Sequence, residues 1–246
     1  MPKAFLIDTS RCTACRGCQV ACKEWHELPA NKTKQWGSHQ NPPDLNPFNY
    51  KLVRFSESLE NGKIKWFFFP DQCRHCIDPP CKNEAEGYMD GAVIQDEKTG
   101  AVLFTDLTAK LAPEACEAVR AACPYDIPRW DEKSGLLTKC TMCFDRVSNG
   151  MLPACVKVCP TGTMNFGERA EMLELAEKRL AEAKKTYPNA TLADADSVNT
   201  IFLLMDEPQK YHKHVVASVR TGLNRKQFLS SVFGPLRRPM QRAVRA

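Results

Sequence analysis

Cysteine is the feature that most constrains this chain: thirteen occur in 246 residues, gathered into four short groups. The first is Cys12-x2-Cys15-x2-Cys18-x3-Cys22. The second is Cys73-x2-Cys76-x4-Cys81, with Ala85 where a fourth cysteine would fall. The third holds Cys116 and ends in Cys123-Pro124, and the fourth is Cys140-x2-Cys143-x11-Cys155-x3-Cys159-Pro160. Small disulfide scaffolds are usually secreted and under about 100 residues, and an odd count leaves one thiol over, so the groups do not read as a disulfide framework. Zinc is satisfied by four ligands in closely spaced pairs and needs no third cysteine just beyond a Cys-x2-Cys. Three closely spaced thiolates instead wrap three irons of a cubane, and the fourth iron takes a ligand from further along, ahead of a proline that helps turn the chain. The pattern is that of [4Fe–4S] chemistry. Only the second group, being incomplete, also fits zinc or a three-iron cluster.

In runs of this kind the fourth cysteine ligates the other cluster. Pairing the outermost groups puts Cys12, Cys15, Cys18 and Cys159 around one cluster and Cys22, Cys140, Cys143 and Cys155 around a second. The inner groups pair next, with Cys73, Cys76, Cys81 and Cys123 around a third. Counting back from Cys123 by the same spacing lands on Val119, Cys116 and Pro113, and the reciprocal position is Ala85. A fourth site has therefore lost its ligands, and Cys116 is left as a free thiol. Three clusters use twelve of the thirteen cysteines.

Charge is unevenly spread. The chain carries a formal +5, yet from Pro208 to Ala246 there are nine Lys and Arg and no acid. From Asp71 to Asp106 eight acids face three bases. The tail is too poor in aromatics to be a base-stacking surface, so nucleic acid is not the expected partner, and a protein with an acidic face is. No apolar run reaches the roughly 18 residues of a membrane span, and an acid at Asp8 comes too early for a signal peptide. Neither a Ser–His–Asp set nor a paired carboxylate nor a phosphate loop stands out, so the chain is not expected to hold a catalytic site.

The local pattern predicts a strand over Lys3–Asp8, a loop rich in Asn and Pro around residues 41–47, and a strand from Lys63 to Phe69. A hairpin is expected from Ala92–Ile94 and Ala101–Thr105, an amphipathic helix over Glu168–Tyr187, and a last strand within 191–206. His75 reads as a loop histidine, and Trp25, His26, Trp66 and Trp130 as packing around the cofactors. Lys139 and Arg146 flank the fourth group and are candidates for raising a cluster potential by their charge.

The segments Cys12-Thr-Ala-Cys-Arg-Gly-Cys-Gln-Val-Ala-Cys22-Lys-Glu-Trp, Cys123-Pro-Tyr-Asp-Ile-Pro-Arg129, Lys139-Cys-Thr-Met-Cys-Phe-Asp-Arg146 and Asn149-Gly-Met-Leu-Pro-Ala-Cys155-Val-Lys-Val-Cys-Pro-Thr-Gly162 resemble the ferredoxin-like β subunits of molybdopterin oxidoreductases. The missing fourth cluster is most similar to the small subunits of soluble tungsten or molybdenum formate dehydrogenases of sulfate-reducing bacteria. The resemblance implies an α+β fold of two intertwined bacterial-ferredoxin-like modules with long loops, one amphipathic helix and an extended C-terminal tail. Residues 1–30 and 131–168 would form the first module, 31–130 the inserted second, and 169–246 a helix and basic tail against the catalytic subunit. It also implies a large subunit with a pterin-bound metal and its own [4Fe–4S] cluster, a multihaem cytochrome c, and export to the periplasm as a passenger. Without it, a chain lacking a signal reads as cytoplasmic. Membrane-bound relatives carry a C-terminal helix where this chain has its basic tail, so the resemblance does not extend to a quinone-linked partner. The expected function is an electron-transfer subunit; the alternatives are the same subunit of a polysulfide, sulfoxide or nitrate reductase, an independent polyferredoxin, or an iron–sulfur sensor.

Overall fold

Ala4 to Ile7 have no exposed surface at all, so the strand they form must be covered on both faces. The computed structural model describes residues 2–217. In chain order its elements are β1 (Lys3–Asp8), α1 (Gly17–Trp25), β2 (Leu52–Glu60), β3 (Lys63–Asp71), α2 (Pro80–Glu86), β4 (Val93–Gln95) and β5 (Val102–Phe104). They continue with α3 (Pro113–Ala122), β6 (Arg129–Trp130), β7 (Leu137–Thr138), α4 (Phe144–Ser148), α5 (Ala154–Lys157) and β8 (Met164–Glu168). The last are α6 (Arg169–Ala183), β9 (Thr191–Ala193), β10 (Thr200–Leu204) and α7 (Pro208–Tyr211). The mixture is α+β. No helix among the described residues is long and apolar enough to cross a membrane.

The central sheet has the order β8-β1-β10-β9. Strand β1 runs parallel to β10, with Phe5 beside Thr200, and antiparallel to β8, with Phe5 opposite Phe166. Side chains alternate across a sheet, and here both faces are apolar. Phe5, Ile7, Phe202 and Leu204 pack toward Phe69, Met142, Cys18 and Cys155. Leu6, Ile201 and Leu203 pack the other way, toward Ala176 of α6 and Tyr125, Cys73 and Cys140. The sheet is thus buried on both faces, and both apolar clusters that cover it include cysteines. Helix α6 is shorter than the 168–187 expected, and Tyr187 stands half exposed beyond its end.

A long hairpin joins β2 and β3 in register from Leu52–Asp71 to Glu60–Lys63. Its turn is Asn61-Gly62, both at positive φ (51° and 75°), the two-residue turn whose twist matches paired strands. Strand β3 was expected to stop before Pro70; it runs on to Asp71, with Pro70 opposite Val53, which a two-stranded ribbon permits because each strand has a free edge. The expected hairpin at 92–105 is β4 and β5. Gly100 closes it at φ +75°, where a Cβ would come within 2.7 Å of the Asn199 side chain.

Asp71 belongs to the interior, not to the acidic surface that its place in the sequence suggested. Arg54 Nε donates to its Oδ2 at 2.7 Å and Arg74 Nη1 to its Oδ1 at 2.6 Å. Asp44 extends the network by accepting from Arg54 at 2.6 Å and from Arg129 at 2.8 Å. The Arg74 guanidinium also lies 5.2, 4.9 and 4.8 Å from the ring centres of Phe69, Tyr125 and Phe202. One buried carboxylate thereby fastens the hairpin to the loop that follows it. Burial pulls the Asp71 pKa up, but Arg74 and Arg54 outweigh it and leave it lowered. Its stabilisation holds above the unfolded carboxyl pKa of about 4 and is lost as pH falls through the lower folded value. Breaking one side of a buried pair costs about 3–5 kcal/mol, so Asp71→Asn should lower the urea midpoint of the iron-loaded protein at pH 7 accordingly. An unchanged midpoint would show that the hairpin is held by packing alone.

Candidate iron–sulfur centres

Three Cys-x-x-Cys loops share one backbone device. The residue before the second cysteine is left-handed in each: Ala14 (φ 54°), His75 (φ 46°) and Met142 (φ 61°). That conformation turns a main-chain N–H back toward the first sulfur. His75 N–H donates to Cys73 Sγ at 3.3 Å and Met142 N–H to Cys140 Sγ at 3.4 Å, and Ala14 bonds Cys12 in the same way. Successive N–H groups arranged like this make anion-binding nests, a recurrent feature of iron–sulfur sites. The sequence asks for small or adaptable residues at these turns and pays a modest strain where it places His75 and Met142.

The quartets expected from spacing come together in space. Cys12, Cys15, Cys18 and Cys159 line one small cavity with Val53, Pro70 and Met164. Cys73, Cys76, Cys81 and Cys123 line another with Tyr125, Ile127 and Lys139. Cys22 lies within the electrostatic reach of Cys140, Cys155 and Cys143. Among the described residues no three His, Cys, Asp or Glu groups close tightly enough for a single metal ion.

Burial pushes Cys12 and Cys123 up to about 11 and Cys81 and Cys140 up to about 12. Burial also raises Cys18, Cys22, Cys76 and Cys155. Cys159 is the exception: burial raises it, but the N–H groups of Met164, Thr161 and Thr163 and the Thr161 hydroxyl leave it lowered. A metal centre must therefore displace protons from most of these thiols. Three buried N–H groups without a protein partner, on Gln72, Arg74 and His75, sit beside Cys73 in sequence. His75 Nδ1 accepts from Val102 N–H at 3.1 Å, which leaves the ring proton on Nε2. This surplus of donors fits an anionic group such as a thiolate-held cluster.

The quartets are also ordered. Cys18 of the first is among the charges acting on Cys155 of the middle one, and Cys73 of the third acts on Cys140 of the middle one. Lys139 is buried with its Nζ donating to the carbonyls of Val102 and Cys140. Arg146 is half buried; it donates to Leu152 O at 2.7 Å and stacks 4.1 Å over Trp25. Lys51, which spacing could not single out, is buried among the cysteines of the first and middle quartets. His75 lies in a loop, as expected, and is fully buried there. Trp25 and Trp66 are exposed instead of packed, whereas His26 Nε2 comes within 3.7 Å of Cys143 Sγ.

Where a fourth quartet would sit there is hydrocarbon. Ala85, Val119 and Cys116 belong to one buried cluster with Ala92, Val93, Val102, Leu111, Ala115 and Leu137, and Trp130 packs against it. Pro113 starts helix α3. Burial alone raises the Cys116 thiol.

Residues 64–169 match the 4Fe-4S dicluster domain. Over 215 residues the chain is 64% identical to formate dehydrogenase 2 subunit beta (cytochrome c-553) of Nitratidesulfovibrio vulgaris, covering 87% of this chain and 98% of that one. It is 55% identical over 217 residues to the formate dehydrogenase subunit beta of Megalodesulfovibrio gigas, covering 88% and 100%. The iron–sulfur subunit of the nitrate-inducible formate dehydrogenase of Escherichia coli is 40% identical over 215 residues, or 85% and 71% of the two chains. The chain thus belongs to the formate dehydrogenase β subunits of sulfate-reducing bacteria, iron–sulfur subunits that transfer electrons for an oxidoreductase.

Proposed function

We propose that this subunit conducts electrons between formate oxidation in a catalytic large subunit and an external cytochrome c, through three [4Fe–4S] clusters set in a row. The observation that carries the reading is the assembly of twelve cysteines into three neighbouring quartets, the middle one in reach of both others. The first cluster takes Cys12, Cys15, Cys18 and Cys159, the middle one Cys22, Cys140, Cys143 and Cys155, and the third Cys73, Cys76, Cys81 and Cys123. Each cluster supplies one-electron storage; the protein supplies position, donors and charge. The shared ligands describe two intertwined ferredoxin-like modules, one from residues 1–30 and 131–168 and one from 31–130.

The two ends differ. Near the first quartet Cys15 is exposed, and Val158, close beside it, is exposed with Val20 of α1. This apolar face suits a permanent partner, the large subunit that would hold pterin-bound tungsten or molybdenum and its own [4Fe–4S] cluster. Around the third quartet the exposed residues include Asp78, Glu86 and Asp90 with Ile77, Tyr88 and Ile94. Acidic groups around apolar ones suit a transient basic carrier, and charge complementarity there raises the association rate. The Nitratidesulfovibrio relative bears cytochrome c-553 in its name, which supports a cytochrome as that carrier, and a multihaem one is our reading. On this reading the complex works in the periplasm, and this subunit travels there with the large one.

The basic tail contributes to the large-subunit contact. Lys210 is already engaged by Glu60 at 2.7 Å and Asp206 at 3.0 Å, and Tyr211 is buried in the core, so the tail proper starts later, in residues 218–246 that lie outside the described residues. Truncation after Ala217 should weaken the heterodimer in a salt-dependent way; equal subunit affinity with and without the tail would remove this role.

Two measurements address the wire itself. Cys116→Ser should leave the subunit at about twelve irons by the four-per-cubane count, whereas Cys123→Ser should lose or degrade one cluster; the reverse outcome in iron analysis and electron paramagnetic resonance would make Cys116 the ligand. Replacing Asp78, Glu86 and Asp90 with their amides should slow cytochrome reduction several-fold at low salt while formate still reduces the clusters at the normal rate. Unchanged cytochrome kinetics would place the exit elsewhere.

A further inference from the structure

Two lysines are buried with no carboxylate beside them. Lys51 is 2% exposed and Lys139 5%. Among the described residues the ion pairs involve neither of them. Lys51 Nζ donates to Pro70 O at 3.3 Å and to Gln72 Oε1. Lys139 Nζ donates to the carbonyls of Val102 and Cys140 and lies 5.0 Å from the centre of the Phe104 ring. Neutral dipoles alone do not repay the removal of an ammonium from water. The buried arginines close by show the usual solution, since Arg54 and Arg74 share Asp71. The lysines must find their negative charge elsewhere.

The anions within reach are thiolates, and they sort by quartet. Lys51 is acted on by Cys18, Cys155, Cys140 and Cys22, and acts in turn on Cys12 and Cys143. All six belong to the first and middle quartets. Lys139 acts on Cys81 and Cys140 and lines the cavity of the third quartet, so it stands between the middle and third. Each junction of the row thus contains one buried cation whose counter-charges lie in the two quartets that meet there.

On the three-cluster reading above, we propose that Lys51 and Lys139 are junction charges, fixed cations that neutralise adjacent pairs of anionic clusters and hold the reduction potentials of each pair up. Reduction adds one electron to a cluster and no proton, so its charge becomes more negative by one. A fixed positive charge beside it stabilises the reduced form more than the oxidised form. The middle cluster feels both lysines and the end clusters one each. The middle position is thereby kept from becoming a step too reducing to cross.

The test is a redox titration, followed by electron paramagnetic resonance, of the purified two-subunit enzyme with Lys51→Met, Lys139→Met and Lys51→Arg, with iron content measured for each. Four midpoints are expected in the parent enzyme, one of them from the large subunit. Lys51→Met should lower two midpoints, each by about 59 mV, a tenfold change for one electron. Lys139→Met should also lower two, and one midpoint should be common to both pairs. Lys51→Arg, which keeps the charge, should leave all four near their parent values. Met variants with unmoved midpoints, or two Met variants that move the same set, would overturn the proposal. Should Lys51→Met lose iron, full iron in Lys51→Arg supports a need for charge, and equal loss in both refutes it. A parent enzyme whose iron and midpoints do not fit three clusters here would instead count against the three-cluster reading, independently of the lysines.

Discussion

Charge buried away from water is the constraint on which the rest of this structure depends. A cluster held by four thiolates is an anion, and an isolated anion in a low-dielectric interior is unstable by many kcal/mol unless donors and cations surround it. The chain offers three kinds of group. Left-handed residues at Ala14, His75 and Met142 aim main-chain N–H groups at sulfur. Gln72, Arg74 and His75 hold buried donors without protein partners. Lys51 and Lys139 are whole charges with no carboxylate of their own. The central sheet keeps both faces of β1 and β10 dry, and both apolar clusters that cover it include cysteines.

The lost fourth site shows the same constraint from the other direction. Once the thiols at three of its positions are gone, nothing anionic remains to be solvated, and the space closes as ordinary core. Ala85 and Val119 are small and apolar, and Cys116 among them behaves as a buried apolar residue. Trp130 and Leu137 complete the filling. On the proposed reading the third quartet is the last in the row, and Cys81 belongs both to that quartet and to the apolar cluster.

Much of this was legible in the cysteine spacing, because ligand geometry is encoded over a few residues and the exchange of fourth ligands extends it across the chain. Strand β1, the hairpin of β4 and β5 and most of α6 were legible for the same reason, as local period or turn chemistry. Strand β3 was expected but its partner β2 was missed although Asn61-Gly62 announces the hairpin; the charges of Arg54, Glu57 and Glu60, three residues apart, obscure the period of two. Asp71 counts among the acids of residues 71–106, but sequence does not show the arginines that fold back onto it. Lys51 carries no signal at all in one dimension. It sits outside every cysteine group, and only the tertiary packing of the 51–55 segment against the first and middle quartets gives it a role.

The central claim is a linear row in which only the middle position neighbours both others. Pulsed dipolar spectroscopy on the fully reduced subunit measures the distances between cluster spins directly. The account predicts three distances from this chain, two short ones and a third close to their sum. Three comparable distances, as from a triangle of clusters, or a fourth spin centre within this subunit, would contradict it.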